Sequence, residues 1–358
     1  MHAAEVLALR TRPVAGVFFS LTRRCPLHCA HCSTRSGPEA EQHAVEPFLR
    51  LARSFTPECR PDVVSLTGGE PLLRPRLVRD LTRLCHESGA AVELLTGGFF
   101  LRGGKVPPRI AEAVAGLDHL AVSIDRFHEP EVPRTAVLDY LGMLLDAGMD
   151  VSVQLTGEGE DDPYLAEAIG DIRTALHDQV PMFVGLLGPG GRAADWLPPR
   201  PPPDSPPLAY GCDAVSWPVV GFDGRVVACC NQSAVDGPTP PHLLLGHAAS
   251  DSWAVLRERA LRRASLRAIR TYGPRWLAEQ RGHGCSAGVC DSCHALGTVH
   301  DLEARSAALM ASPAGRLMEH VASGVPASAH ASVASAAAVG IPAYAELGLL
   351  GFEGARAR

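Results

Sequence analysis

Three cysteines stand close together near the start of the chain, at positions 25, 29 and 32 of the stretch RRCPLHCAHCST. Their spacing is C-x3-C-x2-C. Three thiolates can hold three corners of a cubane iron–sulfur cluster and leave its fourth iron open to another ligand. With His28 or His31 the same loop offers a Cys3His zinc site. Structural zinc sites commonly pair two CxxC-type knuckles, and no such partner stands nearby, so the spacing favours a cluster.

A second set of cysteines lies in the second half of the chain, and it includes one CxxC pair. Such a set could hold a second metal centre, either an iron–sulfur cluster or a structural zinc site. Its members are Cys212, Cys229, Cys230, Cys285, Cys290 and Cys293. Cys230 adjoins Cys229, and the sequence does not decide which of the two would be a ligand. Eleven cysteines, an odd and clustered number, argue against a disulfide framework and for metal sites in a reducing cytoplasm.

Composition excludes several other classes of protein. The 358 residues carry a net charge of −6 and no long run of Lys or Arg, so no nucleic-acid partner is expected. The first residues contain no apolar stretch of the kind that a secretory signal needs. Residues 321–345 lack charged side chains, but Pro326, Pro342 and His330 make a membrane span a poor interpretation. We therefore expect a cytoplasmic protein without a membrane partner.

Six short apolar runs alternate with helix-like segments between residues 14 and 188. Runs two to six start about 30 residues apart, which is the length of a βα unit. Runs of Val, Ile and Leu are typical of strands buried on both faces of a parallel sheet. The runs occupy 14–22, 62–70, 90–98, 119–127, 150–157 and 181–188. The pattern predicts an α/β fold, a partial (β/α)6 TIM-like barrel.

Polar residues gather where these predicted strands end, which in a βα barrel is the edge that carries the chemistry. The three cysteines follow the first run, Gly68, Gly69 and Glu70 end the second, and Ser123 and Asp125 lie in the fourth. We therefore expect them to meet at one rim of the barrel.

The rest of the chain divides into three parts. Residues 1–197 form the predicted barrel, and the Pro-rich residues 198–207 a stiff linker. Residues 208–300 form a small β-hairpin and helix domain around the second cysteine set, with a hairpin turn at Asp223-Gly224. Residues 301–358 are expected to be a helical or partly disordered tail.

A CxxxCxxC loop after the first strand of such a barrel, followed by GGE after the second, resembles the radical S-adenosylmethionine (SAM) enzymes. The resemblance implies a [4Fe–4S] cluster on Cys25, Cys29 and Cys32, with SAM on the open iron. An electron from the cluster would cleave SAM to a 5′-deoxyadenosyl radical that takes a hydrogen atom from the substrate. It further implies SAM contacts from these residues: Gly68, Gly69 and Glu70 at the amino group, Ser123 and Asp125 at the ribose or carboxylate, Gln154 and Thr156 at the ribose, and His31 at the adenine.

The second cysteine set is similar to the SPASM or twitch extension of radical SAM enzymes. In that extension four cysteines hold an auxiliary [4Fe–4S] cluster, here Cys212, Cys229, Cys290 and Cys293. Arg192, in a Gly-Arg-Ala stretch like one in several such enzymes, is expected to bind a carboxylate of SAM or substrate, or to form a structural salt bridge. Cys230 or Cys285 is a candidate hydrogen-atom donor, and a small buried thiol is the alternative for each.

The resemblance leaves the substrate open. Most relatives with such an extension modify a ribosomally made peptide by a crosslink, a thioether or an epimerisation. The alternative is dehydrogenation or epimerisation of a sugar or aminocyclitol in antibiotic biosynthesis, and a remote one is a non-enzymatic metal-binding protein. Either enzyme would need an external one-electron reductant of the flavodoxin or ferredoxin type. A peptide-modifying enzyme without a fused leader-binding domain would also use a separate leader-peptide-binding protein.

Overall fold

The computed structural model describes residues 1–198, 211–280, 288–323 and 340–352. Cys285 lies outside the described residues. So do nearly all of the predicted Pro-rich linker and parts of the C-terminal tail.

Nine strands form one sheet in the order β6-β5-β4-β3-β2-β1-β7-β8-β9. Neighbouring strands from β6 to β7 are parallel, and the β7/β8 and β8/β9 pairs are antiparallel. The strands are β1 Gly16–Ser20, β2 Val63–Thr67, β3 Ala91–Thr96, β4 His119–Ser123, β5 Val151–Gly157, β6 Met182–Leu186, β7 Val219–Val220, β8 Arg225–Val227 and β9 Leu244–His247. Each of the first six lies inside one predicted apolar run, so the predicted parallel α/β fold is confirmed.

Thirteen helices accompany the sheet in the described residues. They are α1 Ala3–Leu9, α2 Glu46–Ala52, α3 Pro75–Ser88, α4 Pro108–Val114, α5 Arg134–Asp146, α6 Pro163–Ala175, α7 Gln232–Asp236, α8 Trp253–Arg262, α9 Ala264–Tyr272, α10 Pro274–Glu279, α11 Val289–Leu296, α12 Leu302–Ala311 and α13 Pro313–Ser323. In α3, Leu77, Leu81 and Cys85 recur at helical spacing and are buried. The helix ends at Gly89, which adopts φ of 84°.

The two faces of the parallel strands differ in chemistry. Val17, Phe19 and Leu66 are fully buried, and Phe19 packs on Phe48 of α2. The alternate residues face the other side, where Ser65 hydrogen-bonds Glu93. We call this second side the inner face.

The predicted hairpin extends the barrel sheet. Val219 of β7 pairs with Phe18 of β1 and with Val227 of β8. Because β8 runs antiparallel to β1, Cys229 and Cys230 come close to the level where β1 begins, whereas Cys25 follows the end of β1. At about 3.3 Å per residue, β1 alone separates these levels by about 13 Å. The two cysteine sets therefore lie toward opposite ends of the inner face.

The open edge of the sheet is covered by the C-terminal segment. Strand β6 is the last in the sheet, and its Val184 carbonyl accepts a hydrogen bond from Ile341 N at 2.9 Å. Covering an edge strand removes a surface for unwanted strand pairing. Helices α12 and α13 pack beside α9, where Arg267 forms a bidentate ion pair with Glu319. Within the described residues, no helix is both long and apolar enough to cross a membrane.

We predict that the stability of the folded protein depends on pH through His119, at the start of β4. Burial lowers its pKa to about 4, and its ring bonds Ser152 Oγ at 2.7 Å and the Met1 carbonyl at 2.9 Å. An unfolded His titrates near about 6.5, so between these values the unfolded chain binds more protons and stability falls as the pH falls. We expect this group to remove about 2 kcal/mol of unfolding free energy between pH 7 and pH 5.

Urea unfolding of the wild type and of His119→Asn at both pH values tests this expectation, because Asn keeps a donor for the Met1 carbonyl but does not titrate. The wild type should lose more stability than the variant. Equal losses in the two proteins would contradict the assignment to His119.

Candidate metal centres

The loop that carries the first cysteines is held against the end of β2 by two glycines. Gly69 N donates to the Thr22 carbonyl at 2.6 Å, and Glu70 N donates to the Arg24 carbonyl at 2.8 Å. A Cβ atom on Gly69 would lie 2.3 Å from the Arg24 carbonyl oxygen, and Gly68 adopts φ of 133°. Only glycine fits this close backbone approach. The GGE stretch therefore positions the loop in which Cys25 lies.

Glu70 is fully buried and joins the ends of β2 and β3. Its carboxylate accepts hydrogen bonds from Leu72 N at 2.9 Å, Thr96 Oγ1 at 2.8 Å and Gly97 N at 3.1 Å. Burial raises its pKa to about 7, against the effect of these hydrogen bonds. Protein groups therefore bind both carboxylate oxygens, and the predicted SAM contacts of Gly68, Gly69 and Glu70 stay predictions.

Residues after β6 clamp the cysteine loop from its other side. Arg192 donates from its backbone N to the Cys32 carbonyl at 2.9 Å, from Nε to the Cys29 carbonyl at 3.0 Å and from Nη1 to the Ser36 carbonyl at 2.6 Å. Trp196 Nε1 donates to the Ala30 carbonyl at 3.0 Å. Arg192 thus has a structural role. Among the described residues it forms no salt bridge, and its buried Nη2 has no hydrogen-bond partner there. Its predicted contact with a carboxylate stays a prediction.

The three thiols of this loop form an electrostatically coupled group. Cys25 and Cys29 are buried, and burial raises the pKa of Cys25 to about 12, with further contributions from Glu70, Cys29 and Cys32. Three thiolates in such a place require a compensating positive centre. Leu27 N points at Cys25 Sγ at 3.4 Å, as donors to a ligand sulfur do.

The geometry speaks against a single zinc ion in this loop. A tetrahedral ion with sulfur at about 2.3 Å needs ligand atoms about 3.8 Å apart. Among the described residues, the side chains of His31, Asp125 and His128 bring three possible ligand atoms within 4.8 Å of one another. No three cysteine sulfur atoms of these residues lie so close together. His28 is exposed, and His31 Nε2 faces Asp125 at 3.3 Å. The thiols therefore suit a larger cluster with an open corner.

Asp125 organises the residues that follow β4. Its Oδ1 accepts hydrogen bonds from Phe127 N at 2.9 Å and His128 N at 3.1 Å. Its Oδ2 lies 2.9 Å from His128 Nδ1 and 3.3 Å from His31 Nε2. Although burial opposes ionisation, these imidazoles hold the pKa of Asp125 below its usual value. The His31 ring also stacks on Phe127 at a centroid distance of 4.5 Å.

His128 lies between Asp125 and the cysteine loop. Its Nδ1 lies 2.9 Å from Asp125 Oδ2, and its ring centroid lies 5.4 Å from that of His31. Burial alone would lower its pKa, but Asp125 and the neighbouring Cys29 raise the pKa to about 10. Gly97 leaves room for Leu27 of the cysteine loop, because a Cβ there would lie 2.6 Å from Leu27 Cδ1.

Three further predicted SAM contacts lie on strands β4 and β5. Ser123 pairs in register with Gln154, and Gln154 and Thr156 alternate with the buried Val153 and Leu155. All three predicted side chains are partly exposed on the inner face. They therefore lie on the same side of the sheet as Ser65 and Glu93, and their SAM contacts stay predictions.

Residues 19–172 match the family model of the Radical SAM superfamily. This segment is a radical SAM domain. Mouse molybdenum cofactor biosynthesis protein 1 is 36% identical over 133 residues, which cover 35% of this chain and 20% of the mouse protein. The PqqA peptide cyclase of Ruegeria pomeroyi is 36% identical over 115 residues, 31% of this chain and 29% of the cyclase. The chain thus spans less than a third of the length of these relatives.

One solved structure with some likeness is described as native anSMEcpe with bound AdoMet and the Cp18Cys peptide. It is 12% identical with a TM-score of 0.45, and the alignment covers 87% of this chain and 99% of that one.

A radical SAM domain holds a [4Fe–4S] cluster and SAM, and the first site fits both. Three buried or half-buried thiols provide one ligand fewer than the cluster has irons, and backbone groups at the ends of β2 and β3 face the same rim. The chain's own loops from β2 and β6 fix the thiols in place.

The second cysteine set gathers beside the radical SAM domain. Cys290 and Cys293 lie three residues apart on α11 and so share one face of that helix. Burial raises the pKa values of Cys212 to about 11 and of Cys293 to about 12, and the nearby cysteines add to both shifts. Burial and the charge of Cys230 also raise the pKa of Cys229. The structure thus brings all five described members together.

Polar groups surround these sulfurs as they surround the sulfurs of the first site. Asn231 donates from its backbone N to Cys229 Sγ at 3.4 Å and from Nδ2 to Cys290 Sγ at 3.3 Å. His242 Nε2 lies 3.5 Å from Cys293 Sγ. Four thiols with such donors fit a second iron–sulfur cluster, which remains a proposal below.

Arg10, at the end of α1, connects Cys230 to the inner face. Its Nη2 donates to Cys230 Sγ at 3.6 Å, and its guanidinium carbon lies 4.7 Å and 4.6 Å from the ring centroids of Phe18 and Trp217. Arg10 therefore contacts both Cys230 and Phe18, a residue of the inner face. Its role stays a prediction.

Several residues of these centres were not found by sequence reasoning. Arg10, Phe127 and His128 belong to no spacing pattern that we recognised. For His128 a signal was present, since Asp125-x-x-His128 directly after a strand permits a side-chain turn that returns the ring to the carboxylate.

Proposed function

We propose that the protein cleaves SAM reductively and abstracts a hydrogen atom from a substrate bound at the inner face, in order to modify a ribosomally made peptide. The observation that carries the proposal is the radical SAM domain whose three-thiol loop stands at the end of β1. When bound, the cluster supplies the single electron that splits SAM into methionine and a 5′-deoxyadenosyl radical. The radical takes a hydrogen atom and becomes 5′-deoxyadenosine.

The chain's own residues support a substrate site between the two cysteine sets. Ser65 and Glu93 face inward at the level of Phe18, and Gln154 and Thr156 lie on the far strand β5. Burial raises the pKa of Glu93, against a hydrogen bond from Ser65 and the charge of Arg10. A substrate held here would have the initiating site on one side and the second set on the other.

The second set, bound to an auxiliary cluster, would accept the electron that a substrate radical loses on crosslinking or dehydrogenation. For epimerisation the radical would instead take a hydrogen atom from a thiol, and Cys230 or Cys285 would supply it. The external reductant and a separate leader-binding protein belong to this proposal as partners.

The likeness to the PqqA peptide cyclase favours a peptide, but the matched segment is the part that initiates the radical. The same segment resembles molybdenum cofactor biosynthesis protein 1, so it does not select the substrate. A sugar or aminocyclitol is the second candidate. The hydroxyl, amide and carboxyl groups of Ser65, Glu93 and Gln154 on the inner face are suited to a polyol with an amine.

Anaerobic reconstitution with iron and sulfide, followed by SAM and dithionite, tests the proposal. We expect a brown protein that releases 5′-deoxyadenosine. A colourless protein without that product would contradict the proposal and leave the remote alternative, a non-enzymatic metal-binding protein. Incubation with a precursor peptide or an aminocyclitol in deuterated water then separates the substrates. One deuterium in the product would indicate epimerisation, which Cys230→Ala should abolish if Cys230 is the donor.

A further inference from the structure

A cavity of about 640 Å³ lies beside the second cysteine set. The loop before β9, helix α8, and the residues that join α11 to α12 form its wall. Small-molecule sites in proteins have volumes of this order. All of its lining residues lie between positions 241 and 303, so the cavity is separate from the inner face and from the first cysteine loop. Its basic side chains are His242, Arg259, Arg262, Arg263 and His300.

Three guanidinium groups and two carboxylates line this cavity, and the carboxylates are already engaged. Glu303 accepts hydrogen bonds from the first two backbone nitrogen atoms of α9 at 2.5 Å and 3.1 Å. Glu258 lies 3.4 Å from Arg262, and both side chains are largely exposed. Burial and the charge of Arg259 lower the pKa of Arg263, against the charge of Glu303. An anion in the cavity would offset the repulsion between these two guanidinium groups.

Arg263 is held so that one edge of its guanidinium group remains available to a ligand. Its Nη1 donates to the carbonyl oxygens of His242 at 3.1 Å and Leu244 at 2.8 Å. Within the described part of the chain, its Nε and Nη2 form no hydrogen bond and are accessible to solvent. This is the edge with which Arg267 binds both carboxylate oxygens of Glu319. Arg263 can therefore bind an oxyanion in the same bidentate way.

His242 is a second and independent indication of a ligand. The residue lines the cavity and is only 7% exposed. Its Nε2 lies 3.5 Å from Cys293 Sγ, whereas its buried Nδ1 has no hydrogen-bond partner among the residues that the structure describes. Buried polar atoms without a partner are rare in proteins. A hydroxyl group both donates and accepts, so a hydroxyl group on a ligand would suit either tautomer of this ring.

We propose that the cavity binds a small hydroxylated oxyanion, with its anionic group on Nε and Nη2 of Arg263 and a hydroxyl group at Nδ1 of His242. The two residues are neighbours, because Arg263 Nη1 binds the His242 carbonyl. Phosphate esters and carboxylates share the chemistry that is recognised here, namely two acceptor oxygens for a bidentate guanidinium group. This binding does not depend on the reaction proposed above.

Isothermal titration calorimetry of the purified full-length protein tests the proposal with three six-carbon compounds. D-Glucose 6-phosphate and D-gluconate carry the two kinds of anionic group, and D-glucose carries neither. We expect at least one of the anions to bind in a 1:1 ratio, with an affinity that falls as salt is added, and glucose not to bind. Binding of neither anion, or equal binding of glucose, would overturn the inference.

Two further compounds test the contact with His242. Inorganic phosphate and hexanoate keep the anionic groups but lack the hydroxylated carbon chain. Each should bind more weakly than its hydroxylated counterpart, because the Nδ1 atom of His242 then gains no partner. Equal binding would overturn the assignment of His242.

Substitutions locate the binding. Arg263→Gln should weaken the binding of the anion about tenfold or more, because the bidentate contact is lost. Arg263 also holds the loop before β9, so Arg262→Gln is a second variant. Arg262 lines the cavity with a side chain that is 81% exposed, and its loss should weaken binding about threefold without disturbing the fold.

Arg257→Gln is the matched control, since Arg257 is an exposed arginine of α8 that does not line the cavity. Its dissociation constant should equal that of the wild type. Circular dichroism shows whether each variant is folded before dissociation constants are compared. Wild-type affinity in both Arg263→Gln and Arg262→Gln would overturn the inference, and so would an equal loss in Arg257→Gln.

Discussion

Replacing Cys29 by alanine should abolish the cleavage of SAM while the chain stays folded. Cys29 is one of three thiols held in the loop after β1. Loss of a group that merely supports a metal ligand typically costs about 10- to 100-fold in affinity or activity. Loss of the ligand itself should cost more, since two thiols do not retain a cubane cluster. The measurement is 5′-deoxyadenosine formed per chain with SAM and dithionite.

Cys85→Ala is the matched control for this substitution. Cys85 is also a buried cysteine, fully enclosed between α3 and the sheet, and it lies outside both cysteine sets. Both variants lose one small buried side chain, so their unfolding free energies should fall by similar amounts, about 1 kcal/mol. Only Cys29→Ala should lose SAM cleavage. Full cleavage by Cys29→Ala would contradict the assignment of the first site.

Replacing Cys212 and Cys293 together by alanine should halve the iron content and uncouple SAM cleavage from product formation. Two [4Fe–4S] clusters hold about eight irons, and loss of the auxiliary one leaves about four. The first site lies toward the other end of β1 and should continue to release 5′-deoxyadenosine. Without an electron acceptor beside the substrate, modified product should not accumulate.

Metal analysis and product analysis on the same samples test this second expectation. The Cys29→Ala protein serves as its counterpart, because it should keep the auxiliary irons and lose SAM cleavage. Zinc in the wild type, with an iron content that the double substitution leaves unchanged, would show that the second set is a structural zinc site.

The sequence was sufficient for the parallel strands because each of them carries buried apolar residues at alternate positions. Val63–Thr67 and Val151–Gly157, for example, lie inside the apolar runs predicted for them. It was less informative about where helices begin and end between residues 253 and 279. Arg263 adopts ψ of 120° and Gly273 adopts φ of 78°, so the structure has three helices there. Backbone angles that end a helix are only weakly indicated by the types of the residues that adopt them.

At the candidate sites, the spacing of residues in the sequence revealed those that form a local motif. It missed residues that are distant in sequence and come together only in the fold. The three cysteines and the GGE stretch are contiguous and therefore visible. Arg10 reaches Cys230 across 220 positions, and His128 reaches Cys29 across 99, so only the folded chain brings them together. The sequence assigned Gly69 to a contact with SAM. In the structure, the atom that a Cβ at Gly69 would meet first is the chain's own Arg24 carbonyl oxygen.

The pairing of β7 with β1 bears on electron transfer between clusters bound at the two cysteine sets. The strand that leads into the first cysteine loop is hydrogen-bonded to β7, and β7 is bonded to the strand that precedes Cys229. The two sets of sulfurs are thus attached to adjoining strands of a single ladder. Their separation is set by covalent and hydrogen-bonded geometry, so tunnelling between them should proceed at one fixed distance. The rate of electron transfer between the two sets should then not depend on the viscosity of the solvent. In redox proteins whose centres lie on separate moving domains, this rate does depend on viscosity.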